Sequence, residues 1–191
     1  EMTYELEDLC NDCRGSYDPQ TGNADLEIVR KSLEKLLTNE TFVQTHCGPD
    51  AEAGIHTLYR DPDKDFMVMA HINDKGRTSP PHDHGASWAI YGQATHFTDM
   101  TEYKRHDDGS EDGFADVEKT DKYRLDPGMA GMFAAHEIHS IHFPDDARFI
   151  RITGTDLGTL ETLLYDMENK KVTAVPPSVD GVGAGNAAVK R

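Results

Sequence analysis

The sequence predicts a mainly β protein: a double-stranded β-helix, or jelly-roll barrel, preceded by N-terminal helices. Three observations predict it. From Gly54 onward, short runs rich in β-branched and aromatic residues alternate with Asp, Gly, Pro and Asn, the grammar of strands joined by tight turns. Before that point the apolar residues recur at helical spacing. A histidine pair, His82-Asp83-His84, stands early in the β region and further histidines stand near its end, an order that suits a barrel with a metal in its open mouth.

Taken in order, Tyr4, Leu6 and Leu9 predict a short first helix. The next is amphipathic, with Asn23 as the expected N-cap, Asp25 and Glu27 in the first turn, and Leu26, Val29, Leu33, Leu36 and Leu37 on one face. Thr41 to Thr45 adds a further helical turn, and residues 1–50 together read as a layer packed on the outside of a sheet. Strands follow at Ile55 to Arg60, Phe66 to Ile72, Ser87 to Tyr91, Thr95 to Tyr103, Val117 to Leu125, Met129 to Ala134, Ile138 to Phe143 and Arg148 to Thr153. Residues 51–175 are thus the expected barrel. Pro176-Pro177 and the Gly/Ala-rich stretch behind them read as a flexible tail over 176–191.

With 191 residues the chain suits one domain that buries a core without disulfides. Its 19 Lys and Arg against 35 Asp and Glu give a net charge of -16, which repels phosphate backbones and anionic membranes and argues against nucleic acid as a partner. Neither an apolar run of about 18 residues nor a signal-peptide pattern is present, so the expected location is the cytoplasm. The Cys10-Asn11-Asp12-Cys13 spacing lacks the second pair of a zinc site and the preceding strand of a redox motif, so the thiols read as incidental.

The chemistry centres on the histidines. On a strand, residues i and i+2 share a face, so His82 and His84 present two imidazoles side by side while Asp83 points away. A third ligand completes a facial set with open metal positions, typical of non-heme iron(II) oxygenases rather than closed structural zinc. His136, His139 and His142 compete for that place. If Ile141 and Phe143 face the interior, His139 shares their face and the other two point outward.

Tyr59-Arg60, the strand from Phe66 to Ala70, Pro81-His82-Asp83-His84 with Trp88 close behind, and Glu137-Ile138-His139-Ser140-Ile141 leading into Phe149-Ile150-Arg151-Ile152 resemble the cupin superfamily, and within it the thiol dioxygenases. The resemblance covers about half the chain, from Tyr59 to Thr153. It implies iron(II) held by His82, His84 and His139, with Arg60 binding the substrate carboxylate; the expected partners are a small-molecule substrate and O2, and the expected state is a monomer or homodimer. Where the usual cupin motif places a glutamate after the second histidine, this chain has Trp88 and Ala89, which favours a neutral three-histidine set. Such a set keeps the metal's charge high and favours an anionic thiolate or enolate.

Two departures matter. The family's tyrosine on the strand after the third ligand is missing, which leaves Tyr91, Tyr103 or Tyr123 to supply a phenol. Arg151 shares a face with Phe149 and Thr153 and so directs a second cation toward the pocket. The leading expectation is a mononuclear iron(II) dioxygenase converting a small carboxylated thiol to a sulfinate. The alternatives are a three-histidine iron oxygenase cleaving a carbon–carbon bond in a diketone-like substrate, or a metal cupin that binds a small molecule without turnover.

Overall fold

The structure, a computed structural model, describes residues 2–18, 21 and 23–178. Most of the expected 176–191 tail lies outside the described residues.

Helix α1 (Leu6–Ser16) runs beyond its last marker residue, Leu9, because Cys10 and Cys13 continue its buried face. It starts at Glu5, whose backbone N–H donates to the Asp8 carboxylate at 2.8 Å. A two-rung ladder of β1 (Tyr17–Asp18) and β2 (Asn23–Ala24) leads to α2 (Leu26–Leu37). The expected cap at Asn23 is corrected here: Asn23 pairs with Asp18, and Asp25 caps α2 by accepting from the Ile28 N–H. Helix α3 (Glu40–Cys47) follows, with buried Asn39 capping the Phe42 N–H at 3.0 Å and donating to the Tyr4 carbonyl at 2.9 Å.

The strands are β3 (Gly54–Arg60), β4 (Met67–Ile72), β5 (Arg77–Thr78), β6 (Ala89–Thr95), β7 (Thr98–Arg105), β8 (Val117–Leu125), β9 (Ala130–Phe133), β10 (Ile138–Phe143), β11 (Arg148–Thr153), β12 (Thr162–Asp166) and β13 (Lys171–Val175). They form a five-stranded sheet in the order β3-β4-β11-β6-β9 and a four-stranded sheet in the order β5-β10-β7-β8, with β12 and β13 as a terminal hairpin. All the described pairings are antiparallel. Two sheets whose inner faces share one core make the expected jelly-roll, a double-stranded β-helix.

Strand parity divides the apolar residues into two layers. Val68, Ala70, Ile72, Ile90, Ile150 and Ile152 face outward from the five-stranded sheet onto Val29, Leu33 and Leu36 of α2. Each fully buried Val, Leu or Ile among them contributes about 1.5–3 kcal/mol of burial free energy. Their neighbours of opposite parity, Ala89, Tyr91 and Phe149, meet Met100, Leu125, Ile141 and Phe143 of the other sheet inside the barrel. Covered on both sides, β4 is buried at all six positions, which explains its nearly continuous apolar run.

The boundaries expected at Tyr91 and Thr95 shift: one strand runs through Ala89–Thr95, and the turn falls at His96, whose φ is 57°. Gly92 resembles a turn residue but is strand interior. A Cβ there would lie 2.6 Å from Leu33 Cδ2, so glycine lets α2 approach the sheet.

Candidate metal centre

The His-x-His segment is not part of a regular strand, which corrects the strand placement expected for it. His82 forms an isolated bridge with His139, each backbone N–H donating to the other's carbonyl at 2.9 Å, and Gly85 turns the chain with φ 61°. Asp83 anchors this loop. Buried and pointing away from the other two, it accepts from the Gly85 N–H at 3.0 Å and the Leu163 N–H at 2.9 Å. The loop is also bound to the terminal hairpin through Asp83 N–H to the Leu163 carbonyl and Tyr165 N–H to the Pro81 carbonyl.

His82, His84 and His139 converge, with one donor atom from each within 4.8 Å of the others. Their ring centroids are 5.3 Å apart for His82 and His84, and 4.7 Å apart for each with His139. All three are at most 3% exposed, whereas His136 and His142 are exposed. His82 Nδ1 faces the Pro80 carbonyl at 2.8 Å. Only a protonated nitrogen can pair with a carbonyl, so Nε2 carries a lone pair, and it is buried without a partner. Both nitrogens of His139 are likewise buried without partners.

Unpaired buried polar atoms are costly, and three clustered imidazoles cannot all become cations. Burial holds His82 down at about 4, opposed by the bond to Pro80 and aided by the positive charges of Arg151 and Arg77. Burial likewise holds His84 and His139 well below the ordinary imidazole range, helped by neighbouring imidazoles and Arg151. Three neutral rings whose donor atoms converge, with nitrogens of His82 and His139 left unpartnered, fit a divalent transition metal, and the Pro80 contact fixes the tautomer of one ring.

The Tyr91 hydroxyl lies 3.2 Å from His84 Nε2, so Tyr91 is the phenol brought to the site. Burial raises its pKa, with Arg151 pulling the other way, so the hydroxyl stays protonated at neutral pH. Tyr103 instead bonds Ser140 at 2.8 Å. Arg151 is 3% exposed on β11, opposite Tyr91 in the register, with its Nη2 3.8 Å from Met69 Sδ. Phe133 packs 4.0 Å from His139, centroid to centroid, a contact that sequence patterning does not reveal.

Arg60 is placed elsewhere. Its guanidinium grips Asp65 at 2.8 and 3.1 Å with half the side chain exposed, so the expected carboxylate clamp is a surface ion pair. Asp65, with φ 64°, occupies a tight turn that brings its carboxylate back to the strand end. Trp88 faces the helices, edge-on to Tyr17 at 5.9 Å, rather than the metal side. Glu102 sits opposite His139 in the β7–β10 register, half-buried, but is not among the converging donors. Cys10, Cys13 and Cys47 are buried free thiols, with Cys10 and Cys47 pushed up to about 11 by burial.

No family model matches the chain, and no curated protein matches its sequence. Solved structures do. KdgF from Halomonas sp. is 22% identical, covering 55% of this chain and 82% of its own with a TM-score of 0.37. A cupin superfamily protein from Desulfitobacterium hafniense is 15% identical, with coverage of 55% and 81% and a TM-score of 0.35. An oxalate oxidase in complex with the substrate analogue glycolate is 13% identical, with coverage of 52% and 48% and a TM-score of 0.36. The two antiparallel sheets described above form the double-stranded β-helix, and a three-histidine cluster able to hold a metal lies inside it.

Proposed function

We propose that the protein is a mononuclear non-heme iron(II) dioxygenase that oxidises a small carboxylated thiol to a sulfinate. The observation that carries this reading is the convergence of three buried, neutral imidazoles with no carboxylate among the converging donors. Iron(II), when bound there, supplies a Lewis acid for the thiolate and the redox chemistry that dioxygen requires. Both oxygen atoms go to sulfur, and sulfur itself gives up the four electrons, so no further reductant is consumed.

The chain's own residues do the rest. Neutral ligands leave the centre's positive charge uncancelled, which favours a thiolate over a thiol. Arg151 replaces Arg60 as the cation of the site, since Arg60 is engaged by Asp65 at the surface. The protonated Tyr91 hydroxyl, beside His84, offers a hydrogen bond to substrate or dioxygen. Phe133 and Phe149, packed against His139 and Tyr91, exclude water.

Elemental analysis of the isolated protein and oxygen uptake against cysteine, mercaptopropionate and cysteamine test this reading. It requires about one iron per chain and uptake that is greatest with a thiol acid; iron-loaded protein that consumes no oxygen with any of them excludes it. One observation favours a second reading, cleavage of a diketone: the surface position of Arg60 removes the clamp that a thiol acid was expected to need, and an enolate needs none. Oxygen uptake with a β-diketone but with no thiol would select that alternative.

A further inference from the structure

At the far end of β10 from His139, Phe143 stands opposite Arg77 of β5, so the Arg77 side chain leaves its strand on the face that turns into the barrel. Its neighbour Thr78, opposite His142, bonds that imidazole at 2.7 Å instead. A cavity of about 410 Å³ lies at this end, bounded by Arg77, His71, Phe143, Thr78 and the loop over 73–76.

Two polar groups beside this cavity have no use in the fold. Arg77 Nη1 and Nη2 are both buried and neither has a hydrogen-bond partner. His71, 4% exposed and stacked on Phe149 at 4.7 Å, also has a buried, unpartnered Nε2. Among the described residues no carboxylate pairs with Arg77 within 4.0 Å; Asp74 lines the same cavity without making that contact. Burial alone lowers the guanidinium's pKa, with no neighbouring charge to offset it. Guanidinium nitrogens that are buried without partners are unfavourable unless something supplies the missing charge.

We propose that this cavity is a carboxylate-binding site, in which the Arg77 Nη1 and Nη2 pair grips both oxygens of a small organic acid and His71 Nε2 adds a third polar contact. The two unpartnered nitrogens are the forked pair of the guanidinium, whose spacing matches a carboxylate. Lys75 at the cavity's rim adds positive charge toward the entering ligand, against the opposing charge of Asp74. Arg77 and His71 are not among the three converging histidines, although the Arg77 charge reaches His82.

The test is calorimetric titration of the full chain with propionate and with succinate, against chloride at matched ionic strength, for wild type, Arg77→Met and Arg77→Lys at equal metal content. Wild type should bind a carboxylate, and Arg77→Met should bind it at least about tenfold more weakly, the loss expected for a charge-assisted bidentate contact. Without carboxylate, Arg77→Met should melt no lower than wild type, because it removes a buried charge that has no partner. Equal binding by wild type and Arg77→Met would place the carboxylate elsewhere, the metal included, and overturn the proposal. So would wild type that binds neither acid. Should Arg77→Met fail to fold, Arg77→Lys carries the test: weaker binding supports the site and unchanged binding refutes it.

Discussion

Acidifying the metal-free protein should destabilise it through the three converging histidines. His82 has an ordinary pKa of 6.5 when unfolded and about 4 in its buried place, so between those values the unfolded chain binds a proton that the folded chain refuses. Stability therefore rises with pH across this window and is lost as pH falls through it. At pH 5 His82 alone removes about 2 kcal/mol relative to neutral pH. His84 and His139 shift in the same direction and steepen the loss. The window is distinct from that of buried Asp61, lowered from 3.8 to about 2 by bonds from Tyr59, Arg14 and backbone N–H groups, whose contribution fades only below the ordinary carboxylate range. Urea denaturation of chelator-treated protein between about pH 7 and 5 measures the effect, and His82→Asn should flatten the slope by close to one proton. A stability that stays level over that range, or an equal slope in His82→Asn, would mean that the imidazoles are not held neutral by burial.

Other perturbations separate the site from its surroundings. His139→Ala should reduce metal content from about one ion per chain to near zero by elemental analysis, because two imidazoles alone hold a metal weakly. Arg60→Ala should leave oxygen uptake unchanged and cost roughly 0–1 kcal/mol in urea titrations, the value of an exposed ion pair. Arg151→Gln should raise KM for mercaptopropionate about tenfold while cysteamine, which has no carboxylate, changes little. Gly92→Ala should cost about 1–3 kcal/mol by forcing Leu33 and α2 off the sheet, with metal content unaffected.

Strand parity was the most legible part of this chain. It placed Ile141 and Phe143 inside, set His139 with them and turned His142 outward, and the β10 register agrees. Runs of β-branched and aromatic residues between turn residues likewise marked most strands of both sheets. Position along the chain was a poorer guide where a single contact decides the outcome. Arg60 ends its strand as expected, but Asp65, five residues on in a left-handed turn, captures it, and nothing in the local pattern signals that return. Gly92 looks like a turn because the helix that requires a missing Cβ comes from sixty residues earlier in the chain, roughly, and such close approaches leave no periodic trace. Strand β5 has two residues, too few for any period, so Arg77 drew no attention. The β12–β13 hairpin falls within the expected 51–175 barrel but beyond its last expected strand, although Thr162-Leu163-Leu164-Tyr165 and Lys171-Val172-Thr173-Ala174-Val175 have β-rich composition.

Asp83, the middle residue of the His-x-His segment, ties the ligand loop to Leu163, and His82 itself bridges to Leu164. All three histidines are therefore synthesised before the strand that locks two of them in place. As the chain leaves the ribosome, the loop cannot take its final shape until residues 162–166 have emerged, so a metal held by the three histidines would be captured at the end of barrel assembly rather than when the histidines appear. Nascent chains arrested short of that strand would carry every ligand and still load poorly.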